Sequence, residues 1–216
     1  MGITYQCLSL NMYLVKSPRL LKWYYPSLVW NKSRADRVIY LTFDDGPIPD
    51  VTPFVLKTLE YFDVKATFFC IGDNIRKHPD IYQQLLTAGH QVGNHTFNHL
   101  RGWDTEDDTY VENFTRCQEL TNTTLFRPPY GRIKKSQISA IRSRYPNIQI
   151  IMWDVLSGDF DLQLSPEKCL ENVLKHVENG SIIVFHDSIK AFKRLKYVLP
   201  LLLKELTAKG YRFETL

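Results

Sequence analysis

The sequence predicts an α/β protein with a mostly parallel sheet, and three observations support this class. From Arg37 onwards, short apolar runs alternate with longer amphipathic stretches, which is a βαβα pattern. The runs are apolar throughout rather than at every second residue, as expected for strands buried on both faces. Clusters of polar residues follow directly after the runs, where a (β/α) barrel carries its active site.

The apolar runs that we predict as strands are short and regularly spaced. They lie at residues 38–43, 66–71, 91–94, 124–126, 148–153, 181–185 and 211–213. The predicted helices lie at residues 52–62, 80–88, 105–120, 136–144, 165–180 and 192–208. Val55 and Leu59 recur at helical spacing in the first helix. Gly89 ends the second helix, and Ser165 with Pro166 starts the fifth as cap and first residue.

The composition is that of one globular domain. The chain has 216 residues, of which 44% are hydrophobic and 23% charged, which suits a single core. A net charge of +4 is too small for a nucleic-acid-binding protein. It indicates a solvated basic surface, although it would also suit an anionic polymer. No apolar stretch reaches the roughly 18 residues of a membrane span. Residues 1–15 lack the pattern of a cleavable signal.

The four cysteines carry no recognisable metal or redox motif. Cys7, Cys70, Cys117 and Cys169 are widely separated, and no two of them form a C-x-x-C pair. Cys70 ends an apolar run, and we expect its side chain in the core as a small hydrophobic group. The cysteines therefore leave the redox compartment open.

Residues 19–26 combine basic and aromatic side chains and permit two interpretations. Arg19 and Lys22 flank two leucines and are followed by Trp23, Tyr24 and Tyr25. Such a segment suits a peripheral contact with a membrane surface. It also suits a helix packed on the domain, which is the interpretation that we favour. The oligomeric state is not predicted by this or any other segment.

Three residues point to a metal site. His95 and His99 stand four residues apart, which on a helical turn places both imidazoles on one side, although such pairs also occur by accident. Asp45 follows Asp44 at the end of a buried strand, where repulsion between two carboxylates raises a pKa unless a cation compensates. A divalent cation held by Asp45, His95 and His99 would leave open positions for water and substrate. Asp44 would then be free to act as a general base.

The loop at residues 127–131 is stiffened by two prolines. Pro128 and Pro129 restrict the backbone, so the Tyr130 N–H points in a fixed direction and could serve an oxyanion. Arg127 could pair with a buried carboxylate. A rigid loop with a surface arginine would explain the same residues.

His186 ends a buried strand beside the same predicted mouth. This position suits a general acid, although a structural histidine would explain it equally well. Asp154 and Asp159 add carboxylates that could orient a histidine. We interpret the three remaining histidines as structural or surface residues. They are His78, His90 and His176.

Four motifs taken together resemble those of carbohydrate esterase family four, the polysaccharide deacetylases with a NodB-homology domain. They are Thr42-Phe43-Asp44-Asp45-Gly46-Pro47, His95-Thr96-Phe97-Asn98-His99, Arg127-Pro128-Pro129-Tyr130-Gly131 and Ile183-Val184-Phe185-His186-Asp187. The resemblance covers residues 37–216 as the catalytic domain and leaves residues 1–36 as an extension packed on or flanking it. It implies a deformed (β/α)7-type barrel with an open groove.

The resemblance also implies a role for each motif residue. Asp44 is the general base, oriented by Arg127, and the Tyr130 N–H binds the oxyanion. His186 protonates the leaving amine and is tuned by Asp159. The implied metal ligands are Asp45, His95 and His99, which usually hold zinc, although cobalt and similar ions also serve the family. The residues expected at the substrate are Pro129, Tyr130, Phe160, Ile183 and Trp103, the last as a sugar-stacking platform or a buried anchor.

The sequence departs from the family pattern in two motifs. The fourth motif usually reads Asp-x-x-Asp-Trp, whereas here Leu156 replaces the first aspartate. Phe160 replaces the tryptophan that helps to wall the acetyl pocket. The fifth motif usually starts with leucine, and here it has Ile183. We expect a reshaped acyl pocket and retained activity.

The expected function is metal-dependent removal of N-acetyl or O-acetyl groups from a carbohydrate. Chitin oligomers, peptidoglycan and other polysaccharides all remain open as substrates. An inactive carbohydrate-binding domain and a deacylase of a small substrate are the alternatives. The family usually acts on extracellular or cell-wall glycans, but the sequence does not decide the compartment. A metal phosphoesterase would need more metal ligands or a phosphate cradle.

Overall fold

The computed structural model describes residues 13–216 of the chain. Cys7 and most of the stretch in which no signal was predicted lie outside the described residues. Within residues 13–216, no helix is both long enough and apolar enough to cross a bilayer.

Across residues 13–216, eight strands form one sheet in which every pairing is parallel. They are β1 Val38–Asp44, β2 Thr67–Cys70, β3 Gln91–Asn94, β4 Leu125–Phe126, β5 Gln149–Ile150, β6 Val155–Leu156, β7 Ile182–His186 and β8 Arg212–Phe213. The spatial order is β5-β4-β3-β2-β1-β7-β6, with β8 beside β1. Only residues 151–154 separate β5 from β6, the two ends of this path, so the sheet curls back on itself. The predicted deformed barrel with parallel strands is confirmed.

The helices cover the outside of the curled sheet. They are α1 Arg19–Tyr24, α2 Val51–Tyr61, α3 Gly72–Lys77, α4 Pro79–Thr87, α5 Asp107–Thr121, α6 Lys135–Arg144, α7 Pro166–His176 and α8 Phe192–Ala208. Ser165 caps α7 by accepting a hydrogen bond from the Lys168 N–H, and Pro166 occupies the first helical position, as predicted. The short helix α3 was not predicted. The predicted α7 was too long, because the helix ends at His176.

The predicted strand at residues 148–153 is shorter in the structure, where β5 spans only Gln149–Ile150. The next strand, β6, begins at Val155, beyond the predicted range, and was not predicted. The residues after β5 leave the regular ladder because other groups bind their backbone N–H and carbonyl groups. The Ile151 and Met152 carbonyls accept hydrogen bonds from the Arg127 guanidinium. The Met152 N–H donates to the Val29 carbonyl. The apolar run in the sequence does not reveal that other groups compete with the strand ladder for these backbone hydrogen bonds.

Within the described residues the core has three parts, a large one under the helices, a second against α5 and α6, and a small one inside the barrel. In the first, Phe43 stacks on Phe68 and Phe185 at ring distances of 4.9 and 6.0 Å. The inner cluster contains Phe69 and Ile182, together with Leu125 and Ile151. Cys70 is fully buried, as predicted.

Residues 13–36 lie along the barrel and pair with both ends of the sheet. Lys16 bridges to Val155 in antiparallel fashion beside β6, and Val29 bridges to Ile151 in parallel fashion beside β5. Leu28 and Trp30 are buried against α5 and α6. This segment therefore covers the region where the curled sheet closes.

Asp154 fastens this segment to the barrel. Its fully buried carboxylate accepts hydrogen bonds from Lys16 and Lys22 at 2.8 Å and from Arg34 at 2.9 Å. Ser181 donates a fourth hydrogen bond at 2.7 Å. Burial alone would raise the pKa of Asp154, but these donors hold it well below its usual range. The interpretation of Asp154 as a carboxylate that orients a histidine was therefore wrong.

Helix α1 differs from the helix that we favoured for residues 19–26. It buries none of its residues, and Leu20 and Trp23 are largely exposed. The helix contacts the domain through Lys22 and Tyr24, so the packed-helix interpretation holds for these contacts but not for the exposed apolar side chains.

Replacing Asp154 should test how strongly residues 13–36 are held. We expect Asp154→Asn to lower the free energy of unfolding by about 2–4 kcal/mol, because three cations lose their common partner. The pKa of Asp154 is lower in the folded state, so its contribution is complete above the unfolded value of 3.8 and falls as the pH drops below it. Urea unfolding at neutral and at acidic pH measures both effects.

The matched control is Asp73→Asn, because Asp73 also pairs with two cations but does so at the surface. We expect this change to cost less than about 1 kcal/mol. Equal losses for the two variants would contradict a structural role for the buried cluster.

Candidate active site

The polar residues of the four motifs meet at one edge of the sheet. Asp44 ends β1, and His186 ends β7 directly opposite Asp44 in the strand register. His95 follows β3, and Arg127 follows β4. Because all these strands are parallel, their carboxyl ends open at the same mouth, as the sequence predicted.

Asp45, His95 and His99 form a compact cluster in this mouth. Their ligand atoms all lie within 4.8 Å of one another. His99 Nε2 is 3.3 Å and His95 Nε2 is 3.8 Å from Asp45 Oδ1. The two histidines do not share a helical turn, as we had assumed. They lie on a loop with left-handed backbone at Thr96 and at His99, with φ angles of 61° and 57°.

The donor atoms of the cluster fit a divalent cation. Asp45 Oδ1 is buried and has no hydrogen-bond partner among the described residues. His95 Nδ1 lies 2.7 Å from the Arg127 carbonyl, so it donates there and leaves Nε2 as a free ligand atom. Burial lowers the pKa of His95 to about 4, which keeps the imidazole neutral, as a metal ligand must be. A carboxylate and two imidazoles form a donor set that suits zinc and similar ions.

Asp44 is held by a buried arginine. Arg127 is fully buried, and its Nη1 atom donates at 2.7 Å to both Asp44 Oδ1 and Thr42 Oγ1. Its guanidinium also lies over the Phe69 ring at 4.1 Å. The surface-arginine alternative is therefore wrong. The second oxygen of Asp44, Oδ2, is 4.0 Å from His95 Nε2, so it faces the cluster.

Two residues without an assigned role hold the turn that carries Asp45. Asp187 is buried and accepts hydrogen bonds from the Gly46 N–H and the Thr52 hydroxyl. Asn74 donates to the Asp45 carbonyl at 2.7 Å. Asp187 was visible beside His186 in the sequence, but its role depends on contacts across strands that sequence spacing does not show.

His186 is paired with Asp159. The His186 Nδ1 atom lies 2.7 Å from Asp159 Oδ1, and the His186 N–H donates to the other carboxylate oxygen at 2.7 Å. Burial alone would lower the pKa of His186, but the Asp159 carboxylate raises it to about 9. The imidazole is therefore protonated at neutral pH and can donate a proton from Nε2.

Tyr130 has the constrained backbone that the two prolines suggested. Its φ angle of 58° lies in the left-handed region, which is uncommon outside glycine and marks a functional or strained position. The turn around it uses the N–H groups of Gly131 and Arg132, not that of Tyr130. The Tyr130 ring lies 4.6 Å from the His99 ring, so the loop reaches the cluster.

The residues expected at the substrate are not all at the mouth. Phe160 lies at the mouth, because its ring meets the His186 ring edge-on at 5.3 Å. Trp103 is half exposed and stacks with Arg132 at 4.1 Å. Pro129 is buried within its turn.

Ile183 is fully buried in the core under the helices, because it lies on the opposite face of β7 from His186. A direct substrate contact for Ile183 is therefore wrong.

Tyr13 is a site-proximal residue that sequence reasoning missed. Its ring lies 5.0 Å from the Phe160 ring, and its hydroxyl donates to Asp161 at 3.3 Å. A Cβ atom at Gly158 would lie only 2.5 Å from this hydroxyl, so the two residues are closely packed. Tyr13 thus lies behind the loop that carries Asp159. No motif marks a residue so far from this loop in the sequence.

The comparison with known families agrees with this geometry. A family model described as polysaccharide deacetylase matches residues 31–144. The chain belongs to the polysaccharide deacetylase family. The match begins at residue 31, upstream of the boundary at residue 37 that we predicted for the catalytic domain. The predicted family and enzyme class, a deacetylase of the hydrolase type, are confirmed.

Several polysaccharide deacetylases resemble this chain over most of its length. A peptidoglycan-N-acetylglucosamine deacetylase of Bacillus cereus is 30% identical over 87% of this chain and 90% of its own. A chitooligosaccharide deacetylase of Azorhizobium caulinodans is 28% identical over 82% of this chain and 92% of its own. The crystal structure of a peptidoglycan N-acetylglucosamine deacetylase with a naphthyl N-oxidanyl-benzamide superposes with a TM-score of 0.85. It is 30% identical and covers 93% of this chain and 95% of that chain.

Removing the Asp159 charge should change the pH dependence of this deacetylase. A general acid must be protonated, so activity should persist until the pH rises through the His186 pKa of about 9. In Asp159→Asn the imidazolium loses its partner, and we expect the alkaline limb of kcat/KM to move down towards the ordinary value of 6.5. Asp161→Asn is the control, because Asp161 lies on the same loop without touching His186. An unchanged alkaline limb in Asp159→Asn would contradict the assignment.

Shortening Tyr13 should loosen the wall at Phe160. We expect Tyr13→Ala to lower kcat/KM for an N-acetyl substrate by about tenfold, because the loop with Asp159 loses its support. The rate on an N-propionyl analogue should fall less, because space opens behind Phe160. Tyr13→Phe keeps the ring and should remain close to the unaltered protein. Equal losses for both variants would assign the effect to the hydroxyl instead.

Proposed function

We propose that this protein is a metal-dependent N-deacetylase of glycans, and that N-acetylglucosamine units of peptidoglycan are its first candidate substrate. Two kinds of support favour this substrate. The Bacillus cereus relative and the superposed crystal structure both bear the name of a peptidoglycan N-acetylglucosamine deacetylase. The site itself is a mouth at the barrel edge, at which the Tyr130 ring is about half exposed beside His99. Exposed aromatic rings suit sugar faces.

One observation carries the proposed chemistry. A single mouth holds a candidate cation cluster, a buried carboxylate fixed by arginine, and a histidine kept protonated by a second carboxylate. Amide hydrolysis needs these three functions together. An inactive binding domain would have no need for a protonated His186 opposite Asp44.

Asp44 is proposed to activate the attacking water. Arg127 donates a hydrogen bond to Oδ1 of the Asp44 carboxylate, so Oδ2 is left to accept the water proton. The water oxygen then adds to the acetyl carbonyl carbon, and a tetrahedral intermediate forms. When bound at Asp45, His95 and His99, a divalent cation, with zinc the first expectation, would supply Lewis-acid polarisation of that carbonyl.

Tyr130 and His186 are proposed to complete the reaction. The Tyr130 N–H is oriented by its left-handed backbone to donate to the developing oxyanion. His186, held through Nδ1 by Asp159, donates its Nε2 proton to the sugar nitrogen as the carbon–nitrogen bond breaks. Acetate and a free amine leave the site.

A chitooligosaccharide is the second candidate substrate. The Azorhizobium caulinodans relative bears the name of a chitooligosaccharide deacetylase and matches almost as much of the chain. Both candidates present the same N-acetylglucosamine group and differ in what surrounds it. A deacylase of small substrates is the remaining alternative, and a panel of substrates separates the three.

Acetate release from such a panel is the deciding measurement. Peptidoglycan, chitin oligomers, acetylated xylan and free N-acetylglucosamine would be incubated with the protein after chelation, and again after zinc or cobalt is added. We expect release from peptidoglycan that depends on the metal, with little from the free sugar. Glycan binding without acetate release from any substrate would instead support a binding role.

Two variants separate the metal site from the base. His95→Ala should lose both bound metal and activity, because one of three ligands is gone. Asp44→Asn should keep bound metal and lose activity by at least about 100-fold. Near-full activity of Asp44→Asn with metal bound would show that another group takes the proton.

A further inference from the structure

Helix α1 exposes an apolar surface that no part of residues 13–216 covers. The exposed fractions of Leu20, Trp23 and Tyr24 are 72%, 76% and 54%, and none of the helix residues is buried. Single exposed apolar residues are ordinary, but adjacent leucine, tryptophan and tyrosine side chains mark an interaction site.

The chain around α1 is nevertheless held firmly. Lys22 reaches inward from the helix and donates to buried Asp154 at 2.8 Å. On the other side, Lys135 lies over the Tyr24 ring at 4.3 Å, and Arg142 donates to the Ser27 carbonyl at 2.8 Å. The chain from α1 to Ser27 therefore contacts the first and last turns of α6, while Leu20 and Trp23 of the helix stay exposed.

The surface around these side chains is basic. Residues 13–35 contain five lysines and arginines and no acidic residue. Residues 128–153, which include α6, also contain five lysines and arginines and no acidic residue. Arg19, Lys135 and Arg144 are exposed, whereas Lys22 is partly buried towards Asp154. We name the surface of Arg19, Leu20, Trp23, Tyr24 and Lys135 the aromatic-basic face.

We propose that the aromatic-basic face docks on the surface of an anionic lipid bilayer. Leucine and tryptophan side chains enter the boundary between headgroups and acyl chains, and tyrosine favours the same depth. Arg19 and Lys135 lie beside them and attract anionic headgroups. The docking is peripheral and independent of the proposed deacetylase activity.

The chemistry of the face favours lipid over other occupants. A sugar polymer stacks on aromatic rings and makes hydrogen bonds, but it gives no reason for exposed leucines beside them. A nucleic acid would use the basic residues and leave the leucines in water. A second copy of this chain would bring the same positive charge against itself, which opposes association.

Vesicle co-sedimentation with the full chain tests the proposal. Vesicles of phosphatidylcholine alone are compared with vesicles that also contain phosphatidylglycerol, at low and high salt. We expect binding to the anionic vesicles only, weakened by salt. Leu20→Ser combined with Trp23→Ser should lower the partition coefficient by at least about tenfold. Lys135→Gln should lower it by about fivefold.

The matched control is Tyr61→Ser, because Tyr61 is 84% exposed on α2 and outside the aromatic-basic face. It should bind vesicles as the unaltered chain does. Thermal unfolding and near-ultraviolet circular dichroism show that the variants are folded. Equal binding to neutral and anionic vesicles, or full binding by the Leu20 and Trp23 double variant, would overturn the proposal. Self-association that Trp23→Ser abolishes, without vesicle binding, would assign the face to a second copy.

Discussion

The buried Arg127 guanidinium is the interaction on which the rest of the site depends. A charge with no exposed surface must have its donors satisfied, and here Asp44, Thr42 and two carbonyls after β5 satisfy them. These bonds tie the end of β4 to β1. They also occupy the carbonyls of Ile151 and Met152, the residues at which β5 stops short of the predicted strand 148–153. The backbone carbonyl of Arg127 also binds His95 Nδ1 and so orients that imidazole. One side chain thus links the barrel closure, the candidate base and the candidate metal ligand.

The sequence predicted what depends on local pattern. Apolar strands, helix α8 and the placement of Asp44, His95, Arg127 and His186 at strand ends follow from periodicity and parallel topology. What it did not predict depends on distant contacts. The loop of His95 and His99 needs left-handed residues that their spacing does not reveal. The burial of Ile183 follows from the alternation of side chains along β7. The expected substrate contact rested on the position of Ile183 in the motif and did not take this alternation into account.

The contacts of residues 13–36 change how the catalytic domain is understood. A boundary at residue 37 follows the motifs, yet Lys16, Lys22 and Arg34 share one buried carboxylate beyond β5. Tyr13 meets the loop that carries Asp159. Cationic side chains that meet a single distant carboxylate leave no signal in sequence spacing. The segment is therefore part of the fold, and its basic character has a structural origin as well as a surface one.

The register of β1 and β7 places Asp44 and His186 on neighbouring strands at the same level. Their separation is therefore set by the spacing of paired strands, which is about 4.8 Å between backbones and hardly varies among proteins. The walls around them, at Phe160 and Tyr130, belong to a loop and a short turn instead. Substitutions in these loops can therefore change which acyl group or glycan is accepted while the backbone spacing of Asp44 and His186 stays constant. The sheet thus sets the relative position of the two candidate catalytic residues, and the loops determine substrate selectivity.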